Sequence, residues 1–224
     1  MQSDILIIFI RYPQAGLVKT RLAKHIGADK AARLYRLFVE ALLLRTDDTN
    51  YQRIIFYTPA DKKKEITRWL GSGLTLQLQK GNNLGERLAH AFEFAFKHGA
   101  GHVIAIGSDS PLLDKRTVRD AFVKLKRATC VLGPAFDGGY YLIGLSSFSG
   151  KIFKGIRWGT KNVLRQTIDR LKKSKISCRF LRASFDVDTR DDLLLLMKTP
   201  RAANKINVLG LAPIFDILNH CIPK

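Results

Sequence analysis

Apolar segments of strand length alternate with helical patterns along most of this chain, and this alternation limits its fold more than any other feature. Strands are predicted at 4–10, 52–58, 74–79, 102–107, 129–133, 140–145 and 178–183, and helices at 28–45, 61–70, 84–98, 115–127, 160–174 and 189–198. Such a succession is typical of βαβ units. We therefore expect an α/β fold with helices on both faces of a mainly parallel sheet.

The regular alternation ends after residue 133. Gly138 and Gly139 lead directly into the apolar segment 140–145, with no helix between the two predicted strands. So short a connection cannot make a parallel crossover, and one strand should therefore be antiparallel and the sheet mixed. We expect one domain over residues 1–198. The C-terminal tail, 199–224, should dock on that domain or on a second subunit, and the second case would make the protein a homodimer.

The chain is strongly basic, with 38 Lys and Arg against 19 Asp and Glu and a net charge of +19. Such an excess attracts polyanions, which include nucleic acid, anionic lipid and phosphorylated small molecules. The charges are scattered over predicted helix surfaces and are not interleaved with aromatic residues that would stack bases. We therefore expect most of them to be solvated surface.

Membrane insertion and disulfide bonding are both disfavoured. No apolar run reaches the length of a membrane-spanning helix, and no basic segment precedes the first apolar run, so we expect a cytoplasmic protein. Cys130, Cys178 and Cys221 are far apart in sequence and form no C-x-x-C pair. This spacing argues against a disulfide framework and against a thiolate metal site.

The first candidate site residue is Asp109, which follows the predicted strand 102–107 and precedes Ser110 and Pro111. Ligands of open α/β sheets bind at the carboxyl ends of strands, where a carboxylate can hold Mg²⁺ against substrate phosphates. An Asp in this position can equally cap the following turn. Taken alone, the residue supports both interpretations about equally.

The second candidate is the long loop after the first predicted strand, which carries Arg11, Lys19 and Arg21. Backbone N–H groups and such cations suit phosphates, because Arg binds them bidentately and Lys as a point charge. The segment superficially resembles a P-loop, but Pro13 and Val18 stand where that motif needs glycines, and no G-x-G-x-x-G follows a strand. We favour phosphate binding over a plain basic surface loop.

Asp186 and Asp188 form a third candidate. In an extended segment residues i and i+2 face the same way, so these two share one side while Val187 faces the core. Paired carboxylates repel each other and raise each other's pKa unless a cation lies between them. Thr189 and Asp192, by contrast, fit the capping of the following helix.

The fourth candidate is the turn that contains Asp137, Gly138, Gly139 and Tyr140. Glycines let the backbone approach a ligand closely, Asp137 can accept hydrogen bonds from a hydroxyl or amine, and the tyrosine can line a pocket. Asp-Gly-Gly is also an ordinary turn between strands, and the residues alone leave both interpretations open.

In their order along residues 4–198, these motifs resemble those of a known family. They are R-Y-P-x-x-G-x-V-K-T-R-L, N-L-G-E-R-L, G-S-D-S-P, G-P-A-x-D-G-G-Y-Y-L-I-G-L, I-x-W-x-T and D-V-D-T-x-x-D-L. The family is that of the bacterial proteins called selenodomain-associated transferase 1, glycosyltransferase-like members of the nucleotide-diphospho-sugar transferase (GT-A) superfamily. More distantly, K-T-R-L and D-V-D-T resemble elements of phospholactate guanylyltransferase.

The resemblance implies a GT-A sheet with a bound Mg²⁺ or Mn²⁺. Its metal ligands would be Asp109, Asp186 and Asp188. Its nucleotide-binding residues would be Arg11, Gly16, Lys19, Thr20 and Arg21. Its acceptor-binding residues would be Asp137, Gly138, Gly139 and Tyr140.

Together these residues favour a magnesium-dependent transferase that uses a nucleoside triphosphate or a nucleotide-sugar and a small-molecule acceptor. In nucleotidyl transfer Lys19 and Arg21 would stabilise the leaving pyrophosphate beside the metal held by Asp109. In glycosyl transfer Asp137 would orient or deprotonate an acceptor hydroxyl. Three cations in one loop suit a triphosphate, so we favour nucleotidyl transfer to a phosphorylated acceptor and keep glycosyl transfer as the alternative. A nucleic-acid-binding module is a remote third, because it leaves three phosphate-repelling aspartates unexplained.

Overall fold

The computed structural model describes residues 3–198, and its framework is one seven-stranded sheet. The strands are β1 (Ser3–Arg11), β2 (Gln52–Thr58), β3 (Thr75–Leu78), β4 (Ala100–Ile106), β5 (Cys130–Pro134), β6 (Tyr140–Leu145) and β7 (Cys178–Phe180). The helices are α1 (Thr20–Ile26), α2 (Ala28–Arg45), α3 (Lys63–Leu70), α4 (Leu84–Lys97), α5 (Lys115–Leu125), α6 (Val163–Lys173) and α7 (Arg190–Lys198). The predicted α/β architecture is confirmed.

The sheet has the strand order β3-β2-β1-β4-β6-β5-β7. Its pairs are parallel except those of β6, which is antiparallel to β4 and to β5. The predicted mixed sheet is therefore confirmed, and the short turn between β5 and β6 is what reverses the chain. Because the other strands run the same way, the segments that follow β1, β4 and β5 leave the sheet at the same edge.

The core lies on both faces of the sheet, as the central strand shows. Leu6 and Ile8 of β1 pack in one apolar cluster with α2 and α5, whereas Ile5 and Ile7 pack in a second cluster with α4. A strand buried on both faces has a continuous apolar sequence rather than an alternating one. This explains why the first strand stands out so clearly in the sequence.

The chain departs from prediction directly after β1, where the long loop is interrupted by the helix α1. Leu22 and Ile26 of α1 are buried against Leu34 and Phe38 of α2. Seven residues make only about two turns, so the apolar spacing of α1 is too short to be recognised as periodic. The loop that was predicted to bind phosphates therefore includes the first turn of a helix.

Three further predictions concern the rest of the chain. The predicted tail, 199–224, and with it Cys221, lies outside the described residues. Cys130 and Cys178 are free thiols but lie side by side in the register of β5 and β7, a proximity that their separation in sequence conceals. Within residues 3–198, no helix combines the length and the apolarity needed to cross a membrane.

The turn between β5 and β6 can be tested through Gly138. Its φ is +89°, and a Cβ there would lie 2.1 Å from the backbone carbonyl oxygen of Lys161. Left-handed backbone strain by itself costs about 1–2 kcal/mol. We expect Gly138→Ala to lower the free energy of unfolding by more than that, because the new Cβ would also clash with Lys161. Gly159→Ala is the matched control, because its φ is +77° and its Cβ would meet nothing within 4 Å. Urea denaturation measures both variants, and equal losses of unfolding free energy would contradict the tight contact with Lys161.

Candidate functional site

Three segments that are distant in sequence meet at the carboxyl edge of the sheet. The chain leaves β1 toward Lys19 and leaves the neighbouring strand β4 toward Asp109. The segment after β7 joins them, because the N–H of Val187 donates to the carbonyl oxygen of Asp109 at 2.9 Å. Val187 is fully buried, as predicted, and this anchors the carboxylates on either side of it.

Lys19 is the link between these segments. Its Nζ lies 2.5 Å from Oδ1 of Asp109 and 2.8 Å from Oδ1 of Asp188. The Lys19 side chain is 2% exposed, whereas those of Asp109 and Asp188 are 42% and 44% exposed. Burial lowers the pKa of Lys19, but the two carboxylates outweigh burial and the pKa is raised. Lys19 therefore carries its charge at neutral pH.

The backbone and one aromatic ring hold Lys19 in this position. The residue has a φ of +47°, in the left-handed region, immediately before α1 begins. Its Nζ also lies 5.8 Å from the ring centroid of Phe38. A non-glycine residue in this region is uncommon and is typical of functional sites and turns.

Asp186 lies beside this group but does not bind Lys19. Its carboxylate accepts a hydrogen bond from the hydroxyl of Ser110. Burial raises the pKa of Asp186 to about 6, the Ser110 hydrogen bond opposes the rise, and the charge of Asp109 adds to it. Asp186 is thus partly protonated near neutral pH.

In the described part of the chain, no group of three His, Cys, Asp or Glu side chains is arranged to hold a metal ion. Two of the three predicted ligands, Asp109 and Asp188, converge instead on an ammonium group, and the metal site that includes Asp186 stays a prediction. Thr189 and Asp192 cap α7, since the Asp192 carboxylate accepts from the Thr189 N–H at 2.8 Å.

A cleft of about 320 Å³ opens next to these carboxylates. That volume is within the range of small-molecule sites. The residues that line it come from the ends of β1 and β4, the start of α4 and the start of β6, and include Phe9, Arg11, Gln79, Leu84, Arg87, Asp109, Tyr140 and Asp186. The cleft therefore combines an apolar floor with cationic and anionic groups.

The other predicted nucleotide-binding residues lie around the same loop. Arg11 lines the cleft. Gly16, Thr20 and Arg21 are exposed between β1 and the first turn of α1. Gly16 has a φ of +76° and open space where a Cβ would lie, so its backbone conformation accounts for the glycine without a ligand.

Of the predicted acceptor-binding residues, the structure brings only Tyr140 to this cleft. Asp137 is exposed, and its Oδ1 accepts from the N–H of Gly139 at 2.9 Å, which closes the turn. Gly138 packs against Lys161. A local structural role thus explains these three residues, and their contact with an acceptor stays a prediction.

Sequence reasoning missed Tyr35, which lies in the wall of the cleft. Its hydroxyl accepts from the N–H of Arg11 at 2.9 Å and is 2.7 Å from the hydroxyl of Ser108. Burial raises the pKa of Tyr35 to about 12, so the phenol stays protonated. Tyr35 thereby fastens the end of β1 to the residue before Asp109. An aromatic residue on a buried helix face gives no sequence signal for such a role.

Gln79 and Arg87 were also missed, although Arg87 belongs to the N-L-G-E-R-L motif. Gln79 Nε2 donates to the carbonyl oxygens of Ile10 and Phe56 at 2.9 and 2.8 Å, across the ends of β1 and β2. Arg87 Nε donates to the carbonyl oxygen of Gly81 at 3.0 Å. Arg87 also lines the cleft.

Residues 42–160, just over half of the chain, match the family model described as uncharacterized protein conserved in bacteria, DUF2064. The chain belongs to this family. A protein from Desulfovibrio desulfuricans G20, provisionally assigned as a nucleotide-diphospho-sugar transferase, is 35% identical to it, and its crystal structure aligns over 95% of this chain and 98% of that one with a TM-score of 0.85. Among curated proteins no significant match to the sequence is found.

Two more distant structures share the fold alone. A cytidylyltransferase from Leptospira borgpetersenii is 16% identical over 100% of both chains, with a TM-score of 0.55. The manganese complex of Rv0371c from Mycobacterium tuberculosis H37Rv is 12% identical over 88% of this chain and 100% of that one, with a TM-score of 0.50. These likenesses and that of the Desulfovibrio protein confirm the predicted nucleotide-diphospho-sugar transferase-like fold.

The electrostatic state of Asp186 can be tested by thermal unfolding in metal-free buffer. Its folded pKa of about 6 lies above the ordinary 3.8, so the folded state binds the proton more tightly and ionisation destabilises the fold. We expect Asp186→Asn to raise the Tm above pH 6, and the gain to vanish as the pH falls toward 4. Asp188→Asn should instead lower the Tm at neutral pH, because it removes a partner of Lys19. A gain for Asp186→Asn that does not change with pH would contradict this assignment.

Proposed function

We propose that this protein is a divalent-metal-dependent transferase that moves a nucleotidyl group from a nucleoside triphosphate to a phosphorylated small molecule. The observation that carries the proposal is the meeting of Lys19, Asp109 and Asp188 beside a cleft at the carboxyl edge of the sheet. Ligands of open α/β folds bind at that edge. The provisional assignment of the Desulfovibrio relative and the activity named for the Leptospira protein support a nucleotide-using transferase.

The carboxylates fit a divalent ion. Asp109 and Asp188 already share one cation, the ammonium of Lys19, and their outer faces are open to solvent. Mg²⁺ commonly binds through one or two protein carboxylates and completes its shell with water and substrate phosphate, so a third converging carboxylate is not essential. The manganese complex of Rv0371c supports a divalent ion in this fold. When bound, such an ion neutralises charge on phosphate oxygens.

The cations around the loop would hold the triphosphate. Arg11, at the end of β1, and Arg21, in the first turn of α1, are exposed and can bind phosphate oxygens bidentately, and Thr20 next to Arg21 is exposed as well. Lys19 would stabilise the charge that develops on the leaving pyrophosphate, and burial strengthens this effect because the surrounding dielectric is low. The acceptor phosphate would attack the α-phosphorus from the side of the cleft that Tyr140 lines.

Glycosyl transfer is the second candidate, and the provisional assignment of the Desulfovibrio relative favours it. In that reaction the same cations would hold a nucleotide-sugar. Asp137, which is exposed at the turn after β5, would orient or deprotonate the acceptor hydroxyl.

Nucleotide binding can be tested by calorimetry with Mg²⁺ present. Lys19→Ala and Arg21→Ala should each weaken binding of a nucleoside triphosphate by roughly 1.5–3 kcal/mol, the range for hydrogen bonds to charged groups. Lys24→Ala is the matched control, because Lys24 is an exposed lysine of the same helix, α1. Affinities that stay at the wild-type value in both loop variants would contradict the phosphate assignment.

The reaction class is decided by the product. For nucleotidyl transfer we expect pyrophosphate release from a nucleoside triphosphate, Mg²⁺ and a panel of phosphorylated acceptors, and its loss in Asp109→Asn, because an amide supplies no anionic ligand. Release of nucleoside diphosphate from a nucleotide-sugar, without pyrophosphate from any triphosphate, would establish glycosyl transfer instead. In that case Asp137→Asn should slow turnover more than it weakens donor binding.

A further inference from the structure

Lys19 and the carboxylates of Asp109 and Asp188 are paired with each other, and this pairing limits what else each of them can bind. The ammonium of Lys19 lies on Oδ1 of Asp109 and Oδ1 of Asp188, the atoms that face a common cation. An ammonium held there is not free to bind phosphate. While the ammonium stays there, these two oxygen atoms are not free to bind a divalent ion.

We propose that Lys19 is an internal counter-cation, which competes with the divalent ion for Asp109 and Asp188 and is released to the nucleotide phosphates when the ion binds. The inference rests on the proposed function of this site. It adds that binding of the ion and binding of the phosphates are coupled through one side chain.

The competition follows from geometry and charge. A divalent ion lies about 2.1 Å from each carboxylate oxygen that binds it. Nζ of Lys19 now stands 2.5 and 2.8 Å from the same two oxygen atoms. An ion and an ammonium cannot both occupy that position, since they need the same lone pairs and repel each other. An ion that binds these two oxygen atoms therefore has to displace Lys19.

The displaced ammonium needs a new anion. The Lys19 side chain is 2% exposed and faces the ring of Phe38, so an unpaired charge there would be strongly destabilised. Asp186 is the other nearby carboxylate, but it is bound to Ser110 and burial disfavours its charge. Phosphates of the nucleotide are the anions that arrive with the ion. Each ligand should consequently bind weakly alone and more tightly when the other is present, by the same factor in both directions.

A purely structural Lys19 predicts the opposite result. If Lys19 only held Asp109 and Asp188 in place, its removal would loosen both carboxylates and weaken the binding of metal. If it competes with the ion, its removal strengthens the binding of metal. The sign of the change separates the two roles.

The test is a titration of the protein with Mn²⁺ in the absence of nucleotide. The electron paramagnetic resonance signal of free Mn²⁺ measures how much of the ion is bound. We expect Lys19→Met, which keeps an unbranched side chain for the apolar surroundings, to bind Mn²⁺ at least tenfold more tightly than the wild type. Lys19→Gln should show the same direction of change and replaces Lys19→Met if that variant does not fold. Lys19→Arg keeps the charge and should stay near the wild-type affinity. Lys24→Met lowers the net charge equally at an exposed position of α1 and measures the general charge effect.

A second experiment measures the coupling between metal binding and phosphate binding, with inorganic tripolyphosphate as the phosphate probe. In the wild type, Mn²⁺ should raise the affinity for tripolyphosphate by a larger factor than in Lys19→Met or Lys19→Gln. Mn²⁺ affinities of Lys19→Met and Lys19→Gln that are equal to or below that of Lys24→Met would overturn the inference, even if the wild type binds nucleotide as proposed. Absence of any triphosphate or nucleotide-sugar binding by the wild type would instead overturn the proposed function, whatever the Mn²⁺ affinities are.

Discussion

The buried ion pairs of Lys19 are the interaction on which this edge of the molecule depends. A lysine with 2% side-chain exposure is stable only if its charge is paired, and both partners come from remote parts of the chain. Asp109 follows β4, and Asp188 follows β7 and the buried Val187. The ammonium thus joins the ends of three segments, and removal of either carboxylate would leave the charge poorly compensated.

The local charge opposes the charge of the whole protein. The chain carries a net charge of +19, yet three aspartates, Asp109, Asp186 and Asp188, gather around one lysine at the mouth of the cleft. The basic surface attracts phosphorylated ligands, whereas the carboxylates by themselves repel them. A divalent cation removes this repulsion, because it can bind carboxylate oxygens and phosphate oxygens at the same time. This is the physical reason why a metal-dependent function suits these residues better than a simple anion-binding one.

The sequence predicted those features that arise from local pattern. Strand β1 was recognisable because a strand that is buried on both faces has a continuous apolar sequence. Asp109 was recognisable because it follows the apolar segment of β4 within a few residues. The buried Val187 followed from the two-residue period of an extended segment.

The rest depended on tertiary contact. The pairing of Lys19 with Asp188 spans 169 positions, and no spacing rule relates such residues. The pairing of Lys19 with these carboxylates was consequently not predicted, and its contact with phosphate stays a prediction. Helix α1 was too short to show a period, and the links from Tyr35 to Ser108 and from Gln79 to the ends of β1 and β2 exist only once the sheet has formed.

The central claim is that nucleotide and divalent ion are bound together at Asp109. Thermal unfolding of the wild type and of Asp109→Asn, with nucleoside triphosphates or nucleotide-sugars and with or without Mg²⁺, tests it most directly, because a ligand that binds only the folded state raises the Tm by an amount that increases with its affinity. The account predicts a larger rise of the Tm for the wild type when nucleotide and Mg²⁺ are both present than with either alone, and no such additional rise for Asp109→Asn. A nucleotide-dependent rise that is the same without Mg²⁺, or the same in Asp109→Asn, would contradict it.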